Sequence, residues 1–264
     1  MRAPIRRPLI ALVTTVITAL VVVAPATAAV ASPESENIIG GEQAAKSYTF
    51  MGAMARRSDQ LYLCGAILIH ERWALTAKHC LTRESPSDVE LRFGSKNRTR
   101  RGEPVDPRRF VLHPRLDVAL MELDDPISKR PMTTFRLLGD STDVRVLGWG
   151  RKCDWQCLQP IPKMLRYLDT KVSSFDHCAG SGMNSTDAFC VRQPQLDAGA
   201  CSGDSGGPVI RFHDGKVSGL YGVMSYAQVV YCVPSPVVVV RAAPLVTWIR
   251  QQAGDSVADR ITVV

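Results

Sequence analysis

The stretch Gly203-Asp204-Ser205-Gly206-Gly207-Pro208 carries the most chemistry in this chain. Glycines on both sides of one serine let the backbone approach a substrate closely while the hydroxyl projects from a turn, so Ser205 is a candidate nucleophile. A serine hydroxyl is weak by itself and needs a base to take its proton and an acid to orient that base. Thr76-Ala77-Lys78-His79-Cys80 offers His79 as the base, and Asp117-Val118-Ala119-Leu120 offers Asp117 as the acid. Chain order narrows the class. Residues 203–207 also fit the G-x-S-x-G nucleophile elbow, but that architecture places the acid and then the histidine after the serine. The one histidine after Ser205 is His213, which follows too closely to serve.

The order His79, Asp117, Ser205 is the chymotrypsin order. From Ile38 to about Gln252 the chain resembles the secreted trypsin/chymotrypsin-family serine proteases. Trp73-Ala74-Leu75-Thr76-Ala77-Lys78-His79-Cys80 resembles the family's histidine box, Gly148-Trp149-Gly150 its mid-chain marker, and Ile38-Ile39-Gly40-Gly41 its mature N-terminus. Together with the serine motif these are four signals in the right order, which weigh far more than G-x-S-x-G alone.

The resemblance implies roles. His79 takes the Ser205 proton, and Asp117 holds the other ring nitrogen so that the correct tautomer faces the serine. The N–H groups of Gly203 and Ser205 form the oxyanion hole, where each donor is worth about 2.7–4 kcal/mol in comparable enzymes. Asp204 pairs with the α-ammonium that cleavage before Ile38 creates, ordering the oxyanion loop and the specificity pocket. Such a buried pair adds little net stability but makes a good switch, because removing one partner strands a charge. Asn37 precedes the cut where trypsin-activated relatives carry a basic residue, so a tryptic activator is not expected. Lys78 stands where the family usually has a small residue. His70, His113, His177 and His213 lie in no matching motif and read as buried structural histidines.

The N-terminus reads as an export signal over residues 1–31: Arg2, Arg6 and Arg7, an apolar run from Leu9 to Ala24, and small residues ending Ala29-Val30-Ala31. The run is short for a membrane span, and nothing after it reads as a stop-transfer segment. Residues 32–37 are then a short activation propeptide, and 38–264 the protease domain. Removing 37 of 264 residues leaves 227, enough for two small barrels without a further domain. The removed part carries three arginines and two glutamates, so the formal charge goes from +7 to +6. Eight cysteines in an exported chain imply disulfides, for which sequence alone allows 105 pairings. The resemblance selects Cys64 with Cys80, Cys178 with Cys190 and Cys201 with Cys232, and leaves Cys153 and Cys157 to close a short local loop. Metal binding by Cys153 and Cys157 would lack a second ligand pair.

The elements that must position these residues are strands. Short β-branched and aromatic runs recur between turns: Leu61 to Ile69, Val89 to Phe93, Val118 to Leu123, Val144 to Trp149, Val217 to Tyr226 and Val237 to Val240. One helix is expected over about 244–253, where Pro244 opens a stretch whose Leu245, Trp248 and Ile249 share a face. The expected fold is all-β, two packed six-stranded Greek-key β-barrels with a C-terminal α-helix. The first barrel spans about 38–130 and the second about 131–243, with a crossing near Ser128 to Thr134. His79 and Asp117 then come from the first barrel, Ser205 from the second, and the reaction sits between them.

Specificity follows by counting from the nucleophile. Trypsin-like relatives carry an aspartate six residues before the serine as the pocket floor; that position is Gly199, and Asp197 lies two residues further back. A basic substrate side chain would meet no carboxylate, and burying its charge unpaired costs several kcal/mol. Ser225-Tyr226-Ala227 resembles the substrate-pairing segment and puts Ala227 where open pockets have glycine, with Val237 on the opposite wall. Two side chains in place of glycines imply a shallow, elastase-like pocket for small or medium apolar residues. An aromatic preference is the alternative if Val237 stands elsewhere.

A basic loop carrying Arg98, Arg100, Arg101, Arg108 and Arg109 reads first as a solvated surface, with docking of acidic substrates or polyanions as its functional alternative. Relatives that bind calcium carry acidic ligands in this region; Ser95-Lys96-Asn97-Arg98-Thr99-Arg100-Arg101 supplies positive charge instead, so no calcium is expected. Asn97-Arg98-Thr99 and Asn184-Ser185-Thr186 match glycosylation acceptors. The expected partners are protein or peptide substrates and protein inhibitors. No cofactor, metal or nucleic acid is called for, and the mature form is expected to be an extracellular monomer without stable membrane association. Two competing readings keep less of the sequence. A catalytically silent protease-fold binding protein would usually have lost a triad residue, and a disulfide-stapled module explains the cysteines but not the motifs.

Overall fold

The computed structural model describes residues 38–138, 143–152, 160–178, 181–192, 198–227, 232 and 235–264. After the two-residue β1 (Glu42–Gln43) the chain builds β2 (Met51–Arg56), β3 (Tyr62–His70), β4 (Trp73–Thr76), β5 (Val89–Phe93), β6 (Glu103–Val105), β7 (Pro107–Leu112) and β8 (Ala119–Leu123). Strands β2 to β8 pair in the order β6-β5-β2-β3-β4-β8-β7. The two ends of that order, β6 and β7, are separated only by Asp106. One stretch from Glu103 to Leu112 therefore pairs with β5 at its start and with β8 at its end, and the sheet curls into a barrel. Val89, Leu91 and Phe93 of β5 are buried while Glu90 and Arg92 alternate with them at the surface, the period-two pattern that fills a barrel from inside.

The rest of the chain adds β9 (Thr134–Phe135), β10 (Asp143–Gly148), β11 (Arg166–Ser173), β12 (Ala188–Val191), β13 (Pro208–His213), β14 (Lys216–Ala227), β15 (Val237–Arg241) and, at the end, β16 (Thr262–Val263). Six of these run β13-β10-β11-β12-β15-β14, and β13 pairs with β14 again, so this barrel is closed. Helix α1 (Leu245–Ala253) buries Leu245, Trp248 and Ile249, the face expected from the sequence, and Gly254 at φ 89° ends it. A short α2 (Asp255–Ala258) follows, which the sequence reading did not foresee. The fold is the expected one: all-β, two barrels and a C-terminal helix.

The barrels meet where glycines permit it. The Gly65 N–H on β3 donates to the Ser205 carbonyl at 2.8 Å, and Thr76 Oγ1 at the end of β4 donates to the Gly65 carbonyl at 2.8 Å. A Cβ on Gly65 would lie 2.9 Å from both the N and Cα of Gly207; one on Gly206, at φ 76°, would strike the Gly65 carbonyl and Thr76 Oγ1. Disulfides join Cys64 to Cys80, Cys178 to Cys190 and Cys201 to Cys232, while Cys153 and Cys157 lie outside the described residues.

Because the atoms facing Gly65 are backbone, they have no rotamer through which to yield. Gly65→Ala should therefore cost about 1–3 kcal/mol of overpacking and lower Tm by several degrees. It should also lower kcat, since the displaced strand is the one bonded to Ser205. Thermal unfolding and steady-state turnover of the variant check both.

Candidate active site

His79 sits in the single turn Lys78–Cys80 directly after β4, and the Cys64–Cys80 bridge ties that turn back to β3. Its Nδ1 lies 2.8 Å from Asp117 Oδ2, and its backbone N–H donates to Asp117 Oδ1 at 2.9 Å. Ser225 Oγ also donates to Asp117 Oδ2. Burial pushes the Asp117 pKa up, but these hydrogen bonds and the neighbouring imidazole outweigh it, so the carboxyl is held below its ordinary value. An ionised Asp117 accepting from Nδ1–H leaves Nε2, which lies 3.7 Å from Cys80 Sγ, as the acceptor. Two further residues shape this geometry. His113 Nδ1 accepts the N–H groups of Arg115 and Leu116, closing the turn that delivers Asp117, and Lys78 Nζ donates to the His113 carbonyl at 3.1 Å. The unusual lysine thus braces the His79 turn against the Asp117 turn.

Ser205 lies on the loop entering β13. Its hydroxyl donates to the Ser225 carbonyl at 2.9 Å rather than to His79. The Gly203 and Ser205 N–H groups have no acceptor among the described residues, while the other ends of their peptide units are held. The Ser202 carbonyl accepts from Arg151 N–H at 2.9 Å and the Asp204 carbonyl from Gly207 N–H at 3.0 Å. In a planar trans peptide the N–H points opposite to its carbonyl, so these bonds aim the two free donors. Between them Asp204 is buried, its Oδ1 accepting from Gly150 N–H at 2.7 Å and its Oδ2 from Cys201 N–H at 2.9 Å. Cβ atoms on Gly148 or Gly150 would collide with this carboxyl, which explains the glycines of the Gly148-Trp149-Gly150 marker. Burial raises the Asp204 pKa to about 6 against those two amide bonds.

A family profile described as Trypsin matches residues 38–249. The chain belongs to the trypsin family. Among curated relatives it is similar to Granzyme M of Homo sapiens, 30% identical over 260 residues that cover 91% of this chain and 98% of the relative. It is also similar to Trypsin of Sarcophaga bullata, 29% identical over 210 residues that cover 73% and 79%, and to Granzyme M of Rattus norvegicus, 28% identical over 242 residues that cover 82% and 89%. The protein is a serine endopeptidase of this family.

Beside Ser205 the protease has a cavity of about 230 Å³. Ser225, Tyr226 and Val237 line it, as do Ala200, Ser202 and Met224, which the sequence did not single out. Gly199 is not among the lining residues; its N–H donates to the Ile39 carbonyl at 2.7 Å. Asp197 and the Ala227 side chain lie outside what the structure describes. The basic loop divides. Arg100, Arg101, Arg108 and Arg109 are exposed, but Arg98 is half-buried, its guanidinium 5.2 Å from the Tyr62 ring centre and bonded to the Pro162 carbonyl at 2.9 Å. Tyr62 in turn donates to the Gly203 carbonyl at 2.9 Å. Nothing in the sequence marks Tyr62 beyond its place in a strand-like run.

Asp117→Asn can still accept the His79 backbone N–H but presents no carboxylate to the ring, which favours the wrong imidazole tautomer. The variant should fold normally and lose about 10⁴-fold in kcat. Circular dichroism alongside turnover of a peptide substrate separates these outcomes.

Proposed function

We propose that the protein is a secreted endopeptidase, made as a precursor, that uses His79, Asp117 and Ser205 to cleave after small or medium apolar residues. The observation that carries this reading is that Asp117, paired with His79 on one barrel, and Ser205 of the other both bond to Ser225, beside two N–H donors without an acceptor among the described residues. In the reaction Ser205 Oγ turns from the Ser225 carbonyl to His79 Nε2, gives up its proton and attacks the substrate carbonyl carbon. The resulting oxyanion is taken by the Gly203 and Ser205 N–H groups. Collapse breaks the C–N bond as His79 returns the proton to the leaving amine, and a water activated by the same base then hydrolyses the acyl-enzyme.

Zymogen control is supported by the surroundings of Asp204. Ile38 is fully buried, and Ile39 bridges to Gly199, close in sequence to the turn that Asp204 occupies. Asp204 has no ion-pair partner among the described residues, and its carboxyl is left to two amides in a buried site. Cleavage before Ile38 would supply an ammonium as the missing countercharge. Export is supported by the basic, then apolar, then small-residue leader.

A first test uses pH. While the Ile38 nitrogen remains a peptide amide, Asp204 keeps its proton up to about 6, whereas the unfolded chain releases it near 3.8. The precursor should therefore lose stability as pH rises from about 4 to about 6, by roughly 3 kcal/mol. The form beginning at Ile38 should lack this loss, because its ammonium favours the charged carboxylate. That ammonium's own contribution is present below its unfolded pKa of about 8 and disappears as pH rises through its raised folded value. Thermal unfolding of Ser205→Ala precursor and processed protein across pH 4–9 measures both; identical profiles would reject the Ile38–Asp204 pair.

Specificity is tested with peptide anilides ending in Ala, Val, Leu, Phe, Lys and Arg, on processed protein with Ser205→Ala as the inactive control. Ala, Val or Leu should dominate. A Lys or Arg signal would mean that a carboxylate such as Asp197 reaches the pocket, whereas dominant Phe would reject only the shallow wall.

A further inference from the structure

Three consecutive peptide units make up the turn from Ser202 to Ser205, and each is held at its carbonyl end by a different donor. The outer two, held by Arg151 N–H and Gly207 N–H, carry the free N–H groups of Gly203 and Ser205. The middle unit joins Gly203 to Asp204. Its N–H donates to the Cys201 carbonyl at 2.9 Å and its carbonyl accepts from Tyr62 Oη at 2.9 Å, so a side chain of the first barrel grips the centre of a turn in the second. Gly203 has φ 98°, a region open to glycine at little cost, so its own backbone does little to resist rotation. What restrains it is the phenol. A Cβ on Gly203 would lie 3.1 Å from the Tyr62 ring, which shows how closely the ring covers the turn.

The phenol is itself fixed on several sides. Trp149 meets its ring edge-on at 6.2 Å, and the half-buried Arg98 guanidinium stacks above it, anchored to the Pro162 and Ile161 carbonyls. Burial, and then the nearby Asp204 charge, keep Tyr62 protonated far into the alkaline range, so it stays a donor at neutral pH.

We propose that Tyr62 is a positioning residue that holds the Gly203–Asp204 peptide so that the flanking Gly203 and Ser205 N–H groups converge on the transition-state oxyanion. This rests on the nucleophile and oxyanion-hole reading given under the proposed function. It also gives Arg98 a task the basic loop otherwise lacks, that of holding the phenol in place.

The experiment compares wild type, Tyr62→Phe and Ser205→Ala in the processed form. Three readouts apply: kcat and KM on a peptide anilide, affinity for a peptidyl boronic acid whose tetrahedral adduct carries the oxyanion, and binding of the uncleaved peptide in the Ser205→Ala background. Tyr62→Phe should lower kcat at least about tenfold with KM within about twofold, and weaken the boronate by the same factor as kcat. Peptide binding by Ser205→Ala and by Ser205→Ala/Tyr62→Phe should be equal, which also reports that the site is folded. Tyr62→Met, a second variant without the hydroxyl, should show the same kcat and boronate losses, so the result does not hang on one replacement. Unchanged kcat and boronate affinity in either folded variant, beside an inactive Ser205→Ala, would overturn the proposal alone. A purely structural Tyr62 would lower Tm and leave the boronate unmoved. Full turnover by Ser205→Ala would overturn the underlying reading and this proposal with it.

Discussion

The site depends on one close approach, the contact of β3 with the Ser205 turn. His79 and Asp117 are carried by one barrel and Ser205 by the other, so nothing local fixes their separation. The backbone bond from Gly65 to the Ser205 carbonyl does so, and it requires Gly65 and Gly206 to lack side chains. Chemistry that needs near-ångström placement is thus anchored to main-chain atoms, which have fewer ways to move than side chains. The Cys64–Cys80 bridge brings the His79 turn onto the same strand, only one residue away from Gly65.

Asp204 adds a second constraint of an opposite kind. A buried carboxyl satisfied by two amides is an expensive arrangement, since desolvation raises its pKa to about 6. The Gly148 and Gly150 positions have been emptied of side chains to admit it, and the Cys201 amide that it accepts from belongs to a disulfide-bonded residue. A protein seeking stability alone would do better with an apolar group. Under the proposed activation a countercharge arrives later, which gives this arrangement a purpose beyond stability.

The sequence exposed the chemistry better than the architecture. His79, Asp117 and Ser205 could be named because glycines, order and neighbouring motifs mark them, and the structure brings the first two into contact and sets the third beside Ser225, to which Asp117 also bonds. Among strands, β5 was legible to the residue because Val89, Leu91 and Phe93 alternate with polar residues. Strand β2 was not, since Met51-Gly52-Ala53-Met54-Ala55-Arg56 has no β-branched residue; its pairing with β3 and β5 overrides local propensity. Strands β6 and β7 were hidden by Pro104 and Pro107 within what reads as a basic loop. Arg98 and Tyr62 were missed for a related reason, because a contact between residues 36 apart leaves no periodic trace in either neighbourhood.

Native interiors pair nearly all their buried polar groups, so a donor left open is informative. On the two peptide units that carry the Gly203 and Ser205 N–H groups, the donors have no acceptor among the described residues while both carbonyls are taken. A disordered turn would leave donors and acceptors open alike. Selective vacancy of donors, with each held in direction by the bond behind it, creates an environment that is satisfied only when an anion forms between them. In the proposed mechanism solvent serves the ground state, whereas the transition state gains two charge-assisted bonds with no reorganisation of the turn. The rigidity built by Tyr62, Arg151 and the glycine contacts is therefore part of the chemistry, since donors free to follow the ground-state carbonyl would stabilise substrate and transition state equally and accelerate nothing.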